Sequence, residues 1–228
     1  MRKRLFPVLH LSDLDTAIRN TQLVSDSGAD GIFYIHHRKN YKVLLNLVAP
    51  LRIQFPNLWM GLNFLDLNTP DAIRICPKWA NGLWVDDGGV FENSYDELES
   101  RAHLYWDEKT NHFIGEYFAS FAFKYQKRIL NLEEGTAVIS QYADVITTSG
   151  NRTGIAADKE KIKRIAKAKD SRKRLAIASG ITPHNIEDYL SYVDDFLVAT
   201  GISTDEHNFD ERKLRLLVHK IHSSRNEI

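Results

Sequence analysis

The chain has one cysteine, Cys76, so no internal disulfide can form, and a lone thiol fits a reducing compartment. It has no excess of charge of either sign. Its 30 basic and 30 acidic side chains balance, which speaks against a strongly cationic nucleic-acid or membrane-surface binder. No apolar run approaches the ~18–20 residues of a membrane span. The basic opening Met1-Arg2-Lys3-Arg4 precedes an apolar stretch too short for a signal peptide. There is no early G-x-G-x-x-G fingerprint, no H-E-x-x-H pair and no paired cysteines, which removes the usual dinucleotide and structural-zinc signatures. What remains is a globular chain, expected in the cytoplasm, whose 228 residues are 43% hydrophobic. A chain of that length buries roughly 70% of its unfolded surface without a staple. One domain over residues 1–228 is the expectation.

Short apolar runs alternate with longer amphipathic stretches. The runs begin with residues 5–11, Gly31-Ile32-Phe33-Tyr34-Ile35-His36, Leu58-Trp59-Met60-Gly61-Leu62-Asn63-Phe64 and Gly82-Leu83-Trp84-Val85-Asp86. They continue with residues 117–124, 144–149, 175–179 and 196–200. Between them lie helical patterns, several with clear start signals: Asp13, Thr69-Pro70, Asp158, Thr182-Pro183 and Asp210. Residues 95–106 read as one helix. The stretch after Thr182-Pro183 reads as another, with Ile186, Tyr189, Leu190 and Val193 inward. Near-continuous apolar strands are buried on both faces, and helical crossovers make them parallel. Eight strand–helix units in this length predict an α/β fold of the (β/α)8 TIM-barrel type.

In such a barrel, function gathers where strands end and the following loops begin. Those ends carry His10, His36, Asn63, Asp86, Lys124, Thr148, Ser179 and Thr200. The last three loops place glycine beside hydroxyls: Thr148-Ser149-Gly150-Asn151-Arg152-Thr153-Gly154, Ser179-Gly180-Ile181-Thr182 and Thr200-Gly201-Ile202-Ser203. Glycine lets backbone N–H groups approach an anion, and hydroxyls add donors. Ser179, Gly180, Thr200 and Gly201, with Arg152 as a charged fork, therefore form a candidate phosphate site. The competing reading is tight turns and helix caps. Asp205 and Glu206 follow closely, and carboxylates beside a phosphate are unfavourable unless they point away.

Asp86, Lys124, His36 and Asn63 are the candidate catalytic groups at the reacting end. Asp86 and Asp87 alternate faces, so at most one of them points into the mouth; His36 and His37 likewise face opposite ways, which makes them a poor metal pair, and no metal-ligand set is expected. Glu116 has no settled position. Residues 159–174 hold nine basic side chains against Glu160 and Asp170, which reads as a solvated helix face or a nucleic-acid patch, with no nucleic-acid partner expected. Tyr95, Tyr105 and Trp106 read either as a contact between copies, making a homo-oligomer, or as the packed face of a helix.

The strings Ala143-Asp144-Val145-Ile146-Thr147-Thr148-Ser149-Gly150, Ala178-Ser179-Gly180-Ile181-Thr182-Pro183-His184-Asn185-Ile186 and Thr200-Gly201-Ile202-Ser203 resemble the BtpA-like proteins. Leu9-His10-Leu11 and Gly28-Ala29-Asp30-Gly31-Ile32 resemble them as well. That family is named after a photosystem I biogenesis factor and includes SgcQ-like proteins. The resemblance implies a phosphate-binding, ribulose-phosphate-type barrel and is clearest over residues 143–203. Lys124 sits where a family lysine falls after strand five. The chain departs from the family at Ile35-His36-His37, where Glu-Asn is usual, so the barrel and phosphate site carry over better than an activity does.

These observations predict an enzyme acting on a small phosphorylated metabolite, a sugar phosphate or phosphoribosyl compound, by proton transfer as an isomerase, epimerase or lyase. The scheme requires no cofactor, and a magnesium held by Asp86 and the ligand phosphate is compatible with it. The alternative is a non-catalytic binding or assembly protein on the same barrel.

Overall fold

The computed structural model describes residues 1–38, 40–90, 95–126, 129 and 131–224, and for residues 95–100 the backbone. Eight strands alternate with helices: β1 Arg4–His10, α1 Leu14–Ser27, β2 Ile32–Ile35, α2 Tyr41–Gln54, β3 Met60–Asn63, α3 Thr69–Ile75, β4 Gly82–Val85 and α4 Tyr95–His112. Then follow β5 Glu116–Ser120, α5 Leu132–Gln141, β6 Val145–Thr148, α6 Lys159–Ala168, β7 Arg174–Ala178, β8 Asp195–Val198 and α7 Glu211–Ser223. Every strand pairs in parallel with its sequence neighbour, and β8 returns to β1 (Arg4 beside Asp195, Pro7 beside Val198), closing the barrel. The fold is the (β/α)8 barrel expected.

The helices expected from Asp13, Thr69-Pro70, Asp158 and Asp210 start at those places. Asp13, Asn40, Asn68, Asn131, Asp158 and Asp210 each accept a backbone N–H of the first turn, and Pro70 lies in the first turn of α3. Alternation along the strands divides the buried residues in two. One set, including Leu5, Ile32, Tyr34, Leu62, Ile146 and Ile177, packs under the helices. The other fills the barrel interior with Phe6, Phe33, Trp84, Phe118, Phe123 and Leu197. Phe6, Phe33 and Phe118 meet edge to face, with centroids 5.0–5.9 Å apart.

The base of the barrel is closed by charge. Asp195 is fully buried and accepts two bonds each from Arg4 and Arg174, and Arg4 reaches on to Glu116 at 2.9 and 3.0 Å. Glu116 therefore opens β5 at the end opposite the candidate site.

Three elements differ from expectation. The strand read as residues 117–124 ends at Ser120, because Ala122 and Tyr125 take left-handed backbone angles (φ 48° and 63°) that no strand accommodates. The helix over residues 95–106 runs on to His112. No α-helix follows β7. Its place is taken by a 3-10 turn over Ile186–Asp188 and further tight turns through Val193. Asn185 explains the change: its side chain accepts from Thr182 N and donates to Gly180 O, competing with helical pairing. Ile186, Tyr189 and Val193 are nevertheless buried, so the inward face is kept without the helix.

Candidate functional site

The mouth of the barrel has an aromatic floor. Trp84 and Phe123 meet at 5.9 Å, and the Trp84 indole donates to Ser120 Oγ at 3.0 Å. Above the floor, strand parity brings up one residue of each ambiguous pair. Asn63 is almost fully buried and its Nδ2 donates to Asp86 Oδ1 at 3.0 Å, while its Oδ1 has no partner. The Asp86 carboxylate is thereby held at the rim on the mouth side. Asp87 instead builds its own turn: Oδ1 accepts Gly89 N at 2.7 Å, and its carbonyl accepts Thr69 Oγ1. Thr147 Oγ1 is a second buried oxygen without a partner, on the barrel-interior parity of β6. A buried polar atom left unpaired costs about 1–3 kcal/mol, which makes these two oxygens candidates for contact with a bound molecule.

His37, rather than His36, shares the parity of Phe33 and Ile35. Its Nε2 lies 3.0 Å from His10 Nδ1, with the rings edge to face. His36 follows the parity of Tyr34, whose hydroxyl meets Thr21 of α1, and its buried Nδ1 has no partner. His37 thus meets His10 at the end of β1, while His36 is buried and close enough to His37 to oppose its protonation. Burial, reinforced by His37, His207 and Lys124, pushes the His10 imidazole down to about 4, so it is neutral at ordinary pH.

Lys124 lies past the end of β5. Its backbone N–H donates to Ser149 Oγ at 2.8 Å, and its ammonium points toward Thr153 Oγ1 at 3.4 Å. It is half-buried and close enough to the His10–His37 pair to oppose protonation of both rings. Lys161, in the first turn of α6, departs from the solvated face expected of this segment. It is turned inward to the carbonyls of Ala122 and Ser149, and burial lowers its amine to about 8. The rest of the basic segment is largely paired: Lys159 with Asp188, Lys163 with Glu160, Arg164 with Glu133 and Arg172 with Asp170. Trp106 packs on the core under Lys109 and Lys173, and Tyr105 reaches Asp87. The side chain of Tyr95 lies outside the described residues.

The three glycine-rich loops lean on one another. Ser179 takes a left-handed φ of 91°, its hydroxyl accepts Gly154 N at 3.0 Å and donates to Arg152 O at 3.2 Å. A Cβ on Gly180 would lie 2.0 Å from Ala156 N, and one on Gly201 would lie 1.8 Å from Ile181 O. Both glycines are required by backbone contact between loops. Thr200 and Gly201 open a 3-10 turn over Thr200–Ile202, and among the described residues no carbonyl pairs with their N–H groups. The Arg152 side chain is exposed on the loop beside them. The carboxylates that looked unfavourable for an anion point elsewhere. Asp205 caps its own loop through His207 N and Asn208 N at 2.8 and 3.0 Å, and Glu206 lies 3.9 Å from His207 Nε2 and within 4.8 Å of the His10 and His37 rings. His37 and Glu206 are the residues that sequence reasoning passed over. Strand parity pointed to His37, whereas nothing local pointed to Glu206.

Solved structures share this architecture at low identity. KGPDC from Streptococcus mutans superposes with a TM-score of 0.65 at 14% identity, over 98% of this chain and 99% of that one. 3-Hexulose-6-phosphate synthase from Salmonella typhimurium gives 0.64 at 13%, over 98% and 100%. Phosphoribosyl anthranilate isomerase from Thermus thermophilus gives 0.62 at 15%, over 96% and 98%. Such likenesses establish the fold. Among the described residues, no helix is long and apolar enough to cross a membrane. A search of curated proteins finds no match. The family model described as "BtpA family" matches residues 75–223, well over half of the sequence, and the chain belongs to the BtpA family.

Proposed function

We propose that this barrel is an enzyme acting on a small phosphorylated metabolite, a sugar phosphate or phosphoribosyl compound, by proton transfer at the mouth. The observation that carries the reading is the Asn63–Asp86 pair: a carboxylate oriented by a buried amide whose own oxygen has no partner in the protein. An unpaired amide oxygen at the barrel mouth suits a substrate hydroxyl, and the neighbouring carboxylate suits a general base. Lys124 supplies positive charge for the oxyanion that proton removal creates. The phosphate rests on the N–H groups of Thr200 and Gly201, with Ser179, Gly180 and Arg152 around it. The resemblance to barrels whose names include a sugar phosphate and a phosphoribosyl compound supports the same substrate class. Isomerase and epimerase chemistries begin with such a proton transfer, and in lyase chemistry the same groups move a proton on or off the fragment that is cleaved.

The test is a thermal-shift screen of phosphorylated sugars and nucleotides, followed by turnover assays on whatever binds. A ligand at 100 times its Kd stabilises by about 2.7 kcal/mol, or a few degrees. The Arg152→Glu and Thr200→Asp variants, both at exposed positions, should abolish the shift. Asp86→Asn should keep the shift and lose turnover. No shift across the panel from a folded protein would favour the non-catalytic assembly reading.

A further inference from the structure

His10, His37 and Glu206 come from three separate places: the end of β1, the loop after β2 and the loop after β8. One ligand atom of each lies within 4.8 Å of the others. The two imidazole nitrogens are 3.0 Å apart. Two nitrogens each about 2.0–2.1 Å from a single zinc lie about 3 Å apart when the ligand angle is between square and tetrahedral.

A hydrogen bond between two neutral rings also has this length. The placement of Glu206 distinguishes the accounts. Its loop is braced on both sides: Asp205 folds the turn, His207 Nδ1 bonds the His10 carbonyl at 2.8 Å, and Asn20 Oδ1 accepts Phe209 N at 2.8 Å. Glu206 also lies 3.9 Å from His207 Nε2, and the braced loop keeps its carboxylate within 4.8 Å of both imidazoles, which a simple ring–ring bond does not require. That arrangement matches a coordination sphere, with His207 tying the Glu206 loop to the end of β1 through the His10 carbonyl. The Lys124 ammonium works against a second cation here, and the Glu206 carboxylate counters it.

We propose that His10, His37 and Glu206 form a binding site for one divalent transition-metal ion of the zinc, iron or manganese class. Two imidazoles and one carboxylate favour such ions over magnesium or calcium and leave coordination positions open toward the mouth. The site stands independently of the phosphate reading, because its ligands take no part in that pocket.

The experiment uses the full chain, stripped with a chelator and titrated with Zn²⁺ in a calorimeter, with Mg²⁺ as the comparison ion and Co²⁺ absorption as the spectroscopic readout. Wild type should take up one Zn²⁺ per chain and develop Co²⁺ ligand-field bands, with Mg²⁺ giving no comparable heat. His37→Ala and Glu206→Gln, both at exposed positions, should weaken Zn²⁺ tenfold or more and alter the Co²⁺ bands. His103→Ala on the outer surface of α4 should change neither. Absence of saturable one-to-one binding would overturn the proposal. So would affinity unchanged in both ligand variants, or an equal loss in His103→Ala. The metal is titrated alone, so failure here leaves the phosphorylated-substrate reading untouched, and failure of the ligand screen leaves this site untouched.

Discussion

The amide of Asn63 donates to Asp86 at 3.0 Å while its own oxygen, buried at the barrel mouth, meets nothing. The cost of that orphan falls on stability and its benefit on ligand binding. Asn63→Leu fills a similar volume and removes the unpaired oxygen. Its melting temperature is expected to hold or rise while turnover of the substrate class falls by about 10²-fold or more, the usual scale for a misplaced general base. Parallel thermal melts and assays check this. A variant that loses stability and activity together would show Asn63 to be structural.

The loop glycines give a different outcome. Gly201→Ala drives a methyl into the Ile181 carbonyl, 1.8 Å away. Overpacking of this kind typically costs about 1–3 kcal/mol, and backbone against backbone leaves little room to relax. Chemical denaturation should place Gly201→Ala in or above that range, with Thr200→Ser near zero.

At the base, Asp195 is shared by Arg4 and Arg174. Truncation to Ala leaves two part-buried guanidinium groups without their common partner, and removing one member of a buried ion pair costs about 3–5 kcal/mol. The variant should melt well below wild type. If it folds at low temperature, its ligand affinity should match wild type, because the mouth is at the opposite end.

Acid stability has a local component at Asp13. Its carboxylate accepts Thr16 N and Ser12 Oγ, and these bonds lower it from 3.8 to about 2. The folded value lies below the unfolded one, so the contribution is complete above about pH 4 and disappears as pH falls toward 2. Asp13→Asn keeps a capping oxygen but cannot titrate. The stability difference between the two proteins should therefore be largest near neutrality and shrink through this window in denaturant titrations.

The barrel was legible in the sequence because each strand is an apolar run and most helices carry a cap such as Asp13, Asn68 or Asp210. Composition was a poorer guide after β7, where Ile186, Tyr189 and Val193 have helical spacing but Asn185 diverts the backbone into turns. Parity resolved within the mouth what spacing left open, setting Asp86 against Asp87 and His37 against His36. Glu206 was illegible for a geometric reason. Its position depends on a loop that returns across almost the whole chain to brace on His10, a contact between residues 197 apart.

The contacts at Gly180 and Gly201 have a mechanical consequence. Each loop end lets its neighbour's backbone through where a side chain would stand, so the segments after β6, β7 and β8 interlock like stacked plates. Such a laminate resists independent hinging. A ligand's anionic end would meet a preset anvil, and any adjustment to the shape of its other end would fall to the opposite half of the rim.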